Sequence, residues 1–401
     1  MLLSTEQLVE QIHDSPTRIV LAASGGGSRA IADLLEVPGG SRTLLEAVVP
    51  YSAVALAAWL GSQPEEACSA TTARAMAMVA FLRARQYDCT KSQPEVGVAV
   101  QLPPQLSSPR PLAGEGEGVR AAGVACTASL ASDRPKRGPH RLHAALQTAP
   151  FSAAWWLPLQ KGRRTRAEEE RLAGRLVLNV VAEACGLPQR LQLDLLEGEQ
   201  VQDSRTRAAQ PWQDLLLGKA DVVRVGQASA SPGAIFSGAF NPVHVGHRRM
   251  AQVAQELLRQ PVALEISILN VDKPPLDYIE MERRLGQFSA DETVYLTRAA
   301  SFEQKSRLFP GATFVVGIDT LRRIVEPRYY GGDPTACQRA AQQIAGRGCR
   351  FLVFGRNLGV GFVRLADLDL PDSLRALCRD VPPEVFREDV SSTAIRKSGA
   401  L

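Results

Sequence analysis

The chain has 401 residues, 45% hydrophobic and 22% charged, with a formal charge of +4. That length exceeds one ordinary domain, and the composition is that of a globular protein able to bury real cores. The mild positive charge permits anionic small molecules but supplies no basic stripe with aromatics, so nucleic acid is not an expected partner. Seven cysteines are scattered without a C-x-x-C pair, which argues against a disulfide frame or a structural zinc and for a reducing compartment.

In chain order, the opening MLLSTEQLVEQIHDS lacks a basic-then-apolar secretion pattern, and 4–13 reads as a short amphipathic helix. RIVLAAS, stopped by GGGS and followed by RAIADLLE, is a buried strand, glycine turn and helix, the usual start of an α/β domain. AVVPYSAVALAAWLG is broken by Pro50, Tyr51 and Ser52 and is too short to span a bilayer, so a cytoplasmic protein without a membrane partner is expected. Residues 71–86 have helical spacing. The stretch 102–123 is rich in Pro, Gly, Ser and Arg, has almost nothing to bury, and is expected to be a disordered insertion resembling a translated interspersed repeat. RAEEERLAGRLVLNVVAEACG, 166–186, is a long helix with acids early and Gly186 as its stop.

Small residues in QASASPG, 227–233, mark a linker, after which the pattern restarts. A strand AIFSG, the loop AFNPVHVG and the helix HRRMAQVAQELLRQ are followed by the strands ALEISILN, TFVVGID and RFLVFGR. Alternating strands and helices predict a Rossmann-like parallel sheet with its ligand at the strand ends. The division expected is 1–195, a connecting segment 196–232, and 233–401.

The loop GAFNPVHVGH, 238–247, holds two of the five histidines. Gly238 lets the backbone approach a ligand, free N–H groups at a helix start favour an anion, and His244 and His247, three apart, can face one side of a cleft. A metal site is not expected, because no third ligand stands nearby and Gly246 is an odd choice within a zinc helix.

These residues resemble the G-x-F-x-P-x-H-x-G-H signature of the adenylyl/cytidylyltransferase superfamily at Gly238, Phe240, Pro242, His244, Gly246 and His247. SSTAIR, 391–396, resembles the (I)SST-x-IR element of nicotinate and nicotinamide mononucleotide adenylyltransferases, and VVGIDTL resembles their strand-end G-x-D element. The resemblance covers about 234–397. It implies attack of an acceptor phosphate on the α-phosphate of a nucleoside triphosphate, ATP with Mg²⁺, with release of pyrophosphate. It assigns His244, His247, Lys273 and Arg396 to the triphosphate, and Ala239, Gly317, Asp319, Ser391, Ser392 and Thr393 to nucleotide binding. Where many pyridine-nucleotide enzymes carry a stacking tryptophan, this chain reads VEPRYYGG, with Tyr329 or Tyr330 in its place. The partners implied are a nucleoside triphosphate and a phosphorylated small molecule, a pyridine mononucleotide above all, and a homo-oligomer is compatible. Rival readings are a cytidylyltransferase, a phosphopantetheine adenylyltransferase, or a nucleotide-binding sensor without turnover.

Residues 4 to about 190 resemble the C-terminal domain of the competence-damage-inducible family, whose active members deamidate nicotinamide mononucleotide. LAASGGGSRAIADLL, VVPYSAVALAAWLG and GVACTASLASDRPKRGPHRLHAAL carry that likeness, with Ser24, Gly25, Gly26, Tyr51 and Thr127 as its site. The family's S-C-T-G-G is A-S-G-G-G here, and the lysine expected five residues after the tyrosine is Leu56. No base stands near Tyr51, so Ser24 or Ser28 would be a nucleophile without an activator, and a degenerate or binding domain is expected. The basic turn SDRPKRGPHRLH is equally a phosphate cradle or a solvated loop.

Overall fold

The computed structural model describes residues 3–89, 120–134, 136–226, 232–270, 275–326, 333–357 and 361–387. The chain divides into two compact α/β units, Met1–Lys219 with Asp272–Glu280, and Ala220–Val271 with Met281–Leu401.

The first unit begins with α1 (Thr5–His13), whose Ser4 and Gln7 cap each other reciprocally and whose Leu8, Val9 and Ile12 are fully buried. There follow β1 (Thr17–Ser24), α2 (Arg29–Glu36), α3 (Gly40–Thr43), β2 (Leu44–Val48), α4 (Ala53–Leu60) and α5 (Ala70–Cys89). After these come β3 (Arg120–Ser129), β4 (His140–Thr148), β5 (Phe151–Leu159), α6 (Arg166–Ala184), β6 (Gln202–Arg207) and α7 (Gln210–Leu217). The sheet runs β2-β1-β3-β4-β5-β6. β2 and β3 lie parallel to β1, whereas β3 to β6 form an antiparallel meander.

Alternation along β3 sends Val124 and Cys126 into the core under α6, and Ala125 into the core under α4 and α5. β3 also approaches α5 so closely that a Cβ on Gly123 would lie 2.1 Å from both the Ala77 carbonyl oxygen and the Phe81 nitrogen. Residues 120–123, expected to end the insertion, are therefore the start of a buried strand. Ala121, Ala122 and Gly123 are buried, and at Gly123 a helix lies directly on the strand. The stretch 102–119 lies outside the described residues.

The stretch 196–232, expected as a connector, contains β6, α7 and β7 (Val222–Val225). The polar sequence of β6 reflects its edge position, where only Thr206 is buried.

Beyond β7 the second unit contains β8 (Ala234–Ser237), α8 (Val245–Leu258), β9 (Val262–Ser267), and α9 (Tyr278–Leu285), of which the residues from Met281 on belong to this unit. Then come β10 (Val294–Thr297), α10 (Phe302–Leu308), β11 (Thr313–Gly317), α11 (Ile318–Ile324), α12 (Pro334–Gly346) and β12 (Arg350–Phe354). A small hairpin of β13 (Arg356–Asn357) and β14 (Phe362–Val363), α13 (Asp372–Arg375) and β15 (Cys378–Val381) follow. The sheet order is β15-β12-β11-β8-β9-β10-β7, parallel throughout except for β7.

Chain order runs outward from β8 through β9 and β10 on one side, and from β11 through β12 and β15 on the other. The reversal lies between β8 and β11, whose carboxyl ends therefore flank the crevice where such sheets bind ligands. One face of the sheet is filled by Ile235, Phe314, Val316, Phe351 and Val353 with residues of α11 and α12. No described helix is long and apolar enough to cross a membrane.

Candidate functional site

The loop from Gly238 to His244 leaves the carboxyl end of β8 at that reversal. The Gly238 N–H donates to the Glu265 carbonyl of β9 at 3.0 Å, and a Cβ at Gly238 would lie 2.7 Å from the Phe240 ring. Only glycine leaves room for that ring. Phe240 has φ 45°, the left-handed region that a bulky residue rarely adopts and that costs on the order of 1–3 kcal/mol. Packing offsets this: the side chain is 1% exposed and meets Phe236, Phe288 and His247 edge-on at 5.2, 5.6 and 5.1 Å between centroids.

Polar tethers from the last turn of α9 and from just beyond it hold the loop. The Arg284 guanidinium donates to the Ala239 carbonyl at 2.9 Å, and Arg283 donates to the Asn241 side chain. The Gln287 amide donates to the Phe240 carbonyl at 3.0 Å and accepts the Val243 N–H at 2.8 Å. Gln287 in turn is met at its own carbonyl by Arg248 of α8, at 2.9 Å.

His244 stands in extended conformation at the cap of α8, and His247 lies one turn in. Their rings stack with centroids 3.7 Å apart and planes at 26°. The His244 N–H donates to Nδ1 of His247 at 3.3 Å. Burial, then the neighbouring His244 and the cations Arg356 and Arg248, push the His247 imidazole down to about 3, and burial with Arg356 lowers His244. His247 is therefore neutral near pH 7, and with Nδ1 accepting, its proton sits on Nε2. Among the described residues, Nδ1 of His244 is buried without a hydrogen-bond partner.

This has a consequence for stability. The unfolded imidazole takes up its proton near the ordinary value of 6.5, while the folded one resists it down to about 3. The unfolded state binds more protons in that window, so stability falls as pH drops from 6.5 towards 3, by at most about 1.4 kcal/mol per pH unit for one such group. The His247→Gln variant is expected to show a shallower loss of Tm between pH 6.5 and 4 than the parent protein. Identical slopes would show that the imidazole titrates as if exposed.

Across the crevice, β11 ends in Gly317, the cap of α11, and Asp319 lies in that helix's first turn. A Cβ at Gly317 would lie 2.8 Å from an Asp319 carboxylate oxygen. Asp319 accepts from Arg356 at 3.2 Å and lies 3.7 Å from Arg323. Arg356 follows the end of β12 and its charge reaches both imidazoles, so it joins the G-x-D carboxylate to the histidine pair. It stood in plain view as the last residue of RFLVFGR, but a strand-end arginine carries no motif of its own. Gly246 is buried in the first turn of α8. Lys273, Ser391, Ser392, Thr393 and Arg396, with Tyr329 and Tyr330, lie outside the described residues. Among the described residues no group of three His, Cys, Asp or Glu side chains is placed to hold a metal ion.

In the first unit the glycine loop after β1 already has a partner. The Glu170 carboxylate of α6 accepts from the Gly27 N–H at 3.1 Å, the Ser28 hydroxyl at 3.0 Å and the Arg29 N–H at 3.1 Å. It sits at the start of α2 as a bound anion would. Gly25 has φ +76°, and a Cβ there would lie 2.1 Å from the Ala128 carbonyl oxygen; one at Gly26 would lie 2.5 Å from the Leu130 side chain. The Ser24 hydroxyl donates to the Pro50 carbonyl at 2.9 Å.

Register places Ser24, Thr127, His143 and Trp156 in one row across β1, β3, β4 and β5. Thr127 donates to the Ser69 carbonyl at 3.4 Å, and burial pushes His143 down to about 4. Tyr51 is 69% exposed, whereas Leu56 is buried. Of the basic turn, His140 to His143 lie in β4, where the His140 Nδ1 meets Glu169 at 2.7 Å.

Residues 235–398 match the cytidylyltransferase-like family, which supports a function of nucleotidyltransferase type. Several solved structures are similar to this chain, two of them competence-damage proteins. Competence/damage inducible protein CihA from Agrobacterium tumefaciens is 18% identical, with 46% of this chain and 98% of that one covered at TM-score 0.30. A competence-damaged protein (CinA) superfamily protein from Escherichia coli is 15% identical, with 45% and 90% covered at TM-score 0.29. Among curated proteins none is significantly similar.

Proposed function

We propose that the chain transfers a nucleotidyl group, AMP from ATP, to the phosphate of a pyridine mononucleotide and releases pyrophosphate. The observation that carries this reading is the pair of stacked, neutral imidazoles at the start of α8, beside the sheet's reversal point and within reach of Arg356. A neutral His247 offers Nε2–H as a donor to an oxygen on which charge builds, without the repulsive cost of a second cation beside Arg356. His244 and the N–H groups opening α8 add dipoles of the same sense. Arg356, held by Asp319, supplies fixed positive charge for the polyphosphate. Transfer of this kind is mostly positioning and charge neutralisation, so it asks no nucleophile of the protein.

Mg²⁺ fits as the companion of the triphosphate. The described residues offer no cluster of ligating side chains, so its ligands would be phosphate oxygens and water. It would neutralise charge on the leaving pyrophosphate.

The first unit is read as a deamidase-like domain that no longer deamidates. Glu170 fills the glycine loop, Ser24 is turned onto a carbonyl, and the place of the expected lysine is a buried leucine.

The test is pyrophosphate release with Mg²⁺, crossing ATP and CTP against nicotinamide mononucleotide, nicotinate mononucleotide and phosphopantetheine. Release with ATP and a pyridine mononucleotide is expected. Release with CTP alone would favour a cytidylyltransferase, the donor that the family's description suggests. Nucleotide binding without release across the panel would make the protein a sensor and overturn the enzyme reading.

A further inference from the structure

The two ends of the histidine loop are fixed by regular structure, but its middle depends on side chains. Gln287 acts there with both atoms of its amide. Its nitrogen donates to the Phe240 carbonyl at 3.0 Å and its oxygen accepts the Val243 N–H at 2.8 Å, so one side chain spans the loop from Phe240 to Val243. Phe240 is the residue in the left-handed conformation, and Val243 is the residue that delivers the chain to His244.

The contacts that continue from there are short. His244 N–H reaches His247 Nδ1, and the Phe240 ring lies edge-on to the His247 ring at 5.1 Å. A shift at Phe240 or Val243 therefore moves both imidazoles. Gln287 is itself set in place: its main-chain carbonyl accepts from Arg248 on α8, and the adjacent Phe288 ring packs on Phe240 at 5.6 Å.

We infer that Gln287 is a positioning residue that fixes the orientation of the histidine pair and the tautomer of His247. Its amide does what a backbone partner does in a sheet, in a loop whose donors and acceptors have no strand to meet. The residue does not touch substrate; it acts through the loop, as an outer partner orients an inner ligand. This inference rests on the nucleotidyltransferase reading only for its kinetic consequence, since the tautomer of His247 can be observed without turnover.

Gln287→Met keeps the side chain's length and removes both hydrogen bonds to the loop, together with one to the Arg284 carbonyl, whereas Gln287→Glu keeps the acceptor for the Val243 N–H. Nitrogen-15 spectra of the imidazoles at neutral pH are expected to show His247 as the Nε2–H tautomer in the parent protein. In Gln287→Met they are expected to show a mixture, and in Gln287→Glu a partial return. Where the parent turns over, Gln287→Met is expected to lower kcat roughly tenfold to a hundredfold with KM for the nucleotide changed less than about threefold. A parent-like His247 tautomer and kcat in a folded Gln287→Met protein would overturn the inference. An altered tautomer with a parent that releases no pyrophosphate from any pair would uphold Gln287 and sink the proposed reaction instead.

Discussion

Replacing His247 by alanine is expected to lower pyrophosphate release by roughly 10²–10³, the loss seen when one well-aimed donor to a developing oxyanion is removed. Binding of the nucleotide, measured by calorimetry on the same variant, is expected to change only a few-fold. The asymmetry follows from the state of the imidazole. Half-buried against Phe236 and Phe240, stacked on His244 and under the charge of Arg356, it does not carry the charge that would make it a major anchor for a ground-state triphosphate. Its contribution is a directed Nε2–H, which gains strength as charge grows on the atom it faces. Removing the ring also leaves space beside Phe240, so unchanged circular dichroism is the control. A variant with parent-like kcat and parent-like affinity would take His247 out of the mechanism, and weakened nucleotide binding with parent-like kcat would make it a binding residue only.

The largest effect on stability is expected from Gly123→Ala. A methyl group there meets the Ala77 carbonyl oxygen and the Phe81 nitrogen, each at 2.1 Å, and both belong to the backbone of α5. No rotamer can relieve such a clash. β3 and α5 would have to part, opening the core that includes Ala73, Met76, Ala77 and Ala125. A loss above about 4 kcal/mol is expected, in the range reserved for gross overpacking or core disruption. It would be seen as a collapse of the denaturation midpoint or of soluble yield. Gly138→Ala, where nothing lies within 4 Å, is the matched control and should behave as the parent protein. A Gly123→Ala protein melting within a few degrees of the parent would mean that strand and helix do not touch as closely as described.

The same glycine shows where the sequence could and could not be read. The histidine loop was legible because six fixed positions over ten residues describe one backbone shape, and the structure places them at the strand-to-helix turn expected. The parallel second sheet was legible from apolar runs such as TFVVG and RFLVF, buried on both faces. Strands made of small residues were not. RAAGVACTAS has the composition of a loop because two helices press on it, and HRLHAALQT and FSAAWWLPL lack a clear alternation because most of their residues are buried. The tethers on the loop were invisible for another reason. Arg284 and Gln287 lie more than forty residues from the carbonyls they meet, and nothing in RRLGQF marks an arginine or a glutamine as a partner of a distant main chain. Glu170 is hidden similarly, as one acid among three in a helix start that reads as ordinary capping.

β7 was also unread, and it changes what the connecting chain is for. The four residues from Val222 to Val225 pair antiparallel with β10 and form the last strand on that side of the second sheet. Without them, β10 would present a row of unpaired N–H and C=O groups, and any extended chain could add itself there. The stretch that leads into the second unit thus moves the sheet's edge from the buried, apolar β10 to the short, more exposed β7, which carries Arg224.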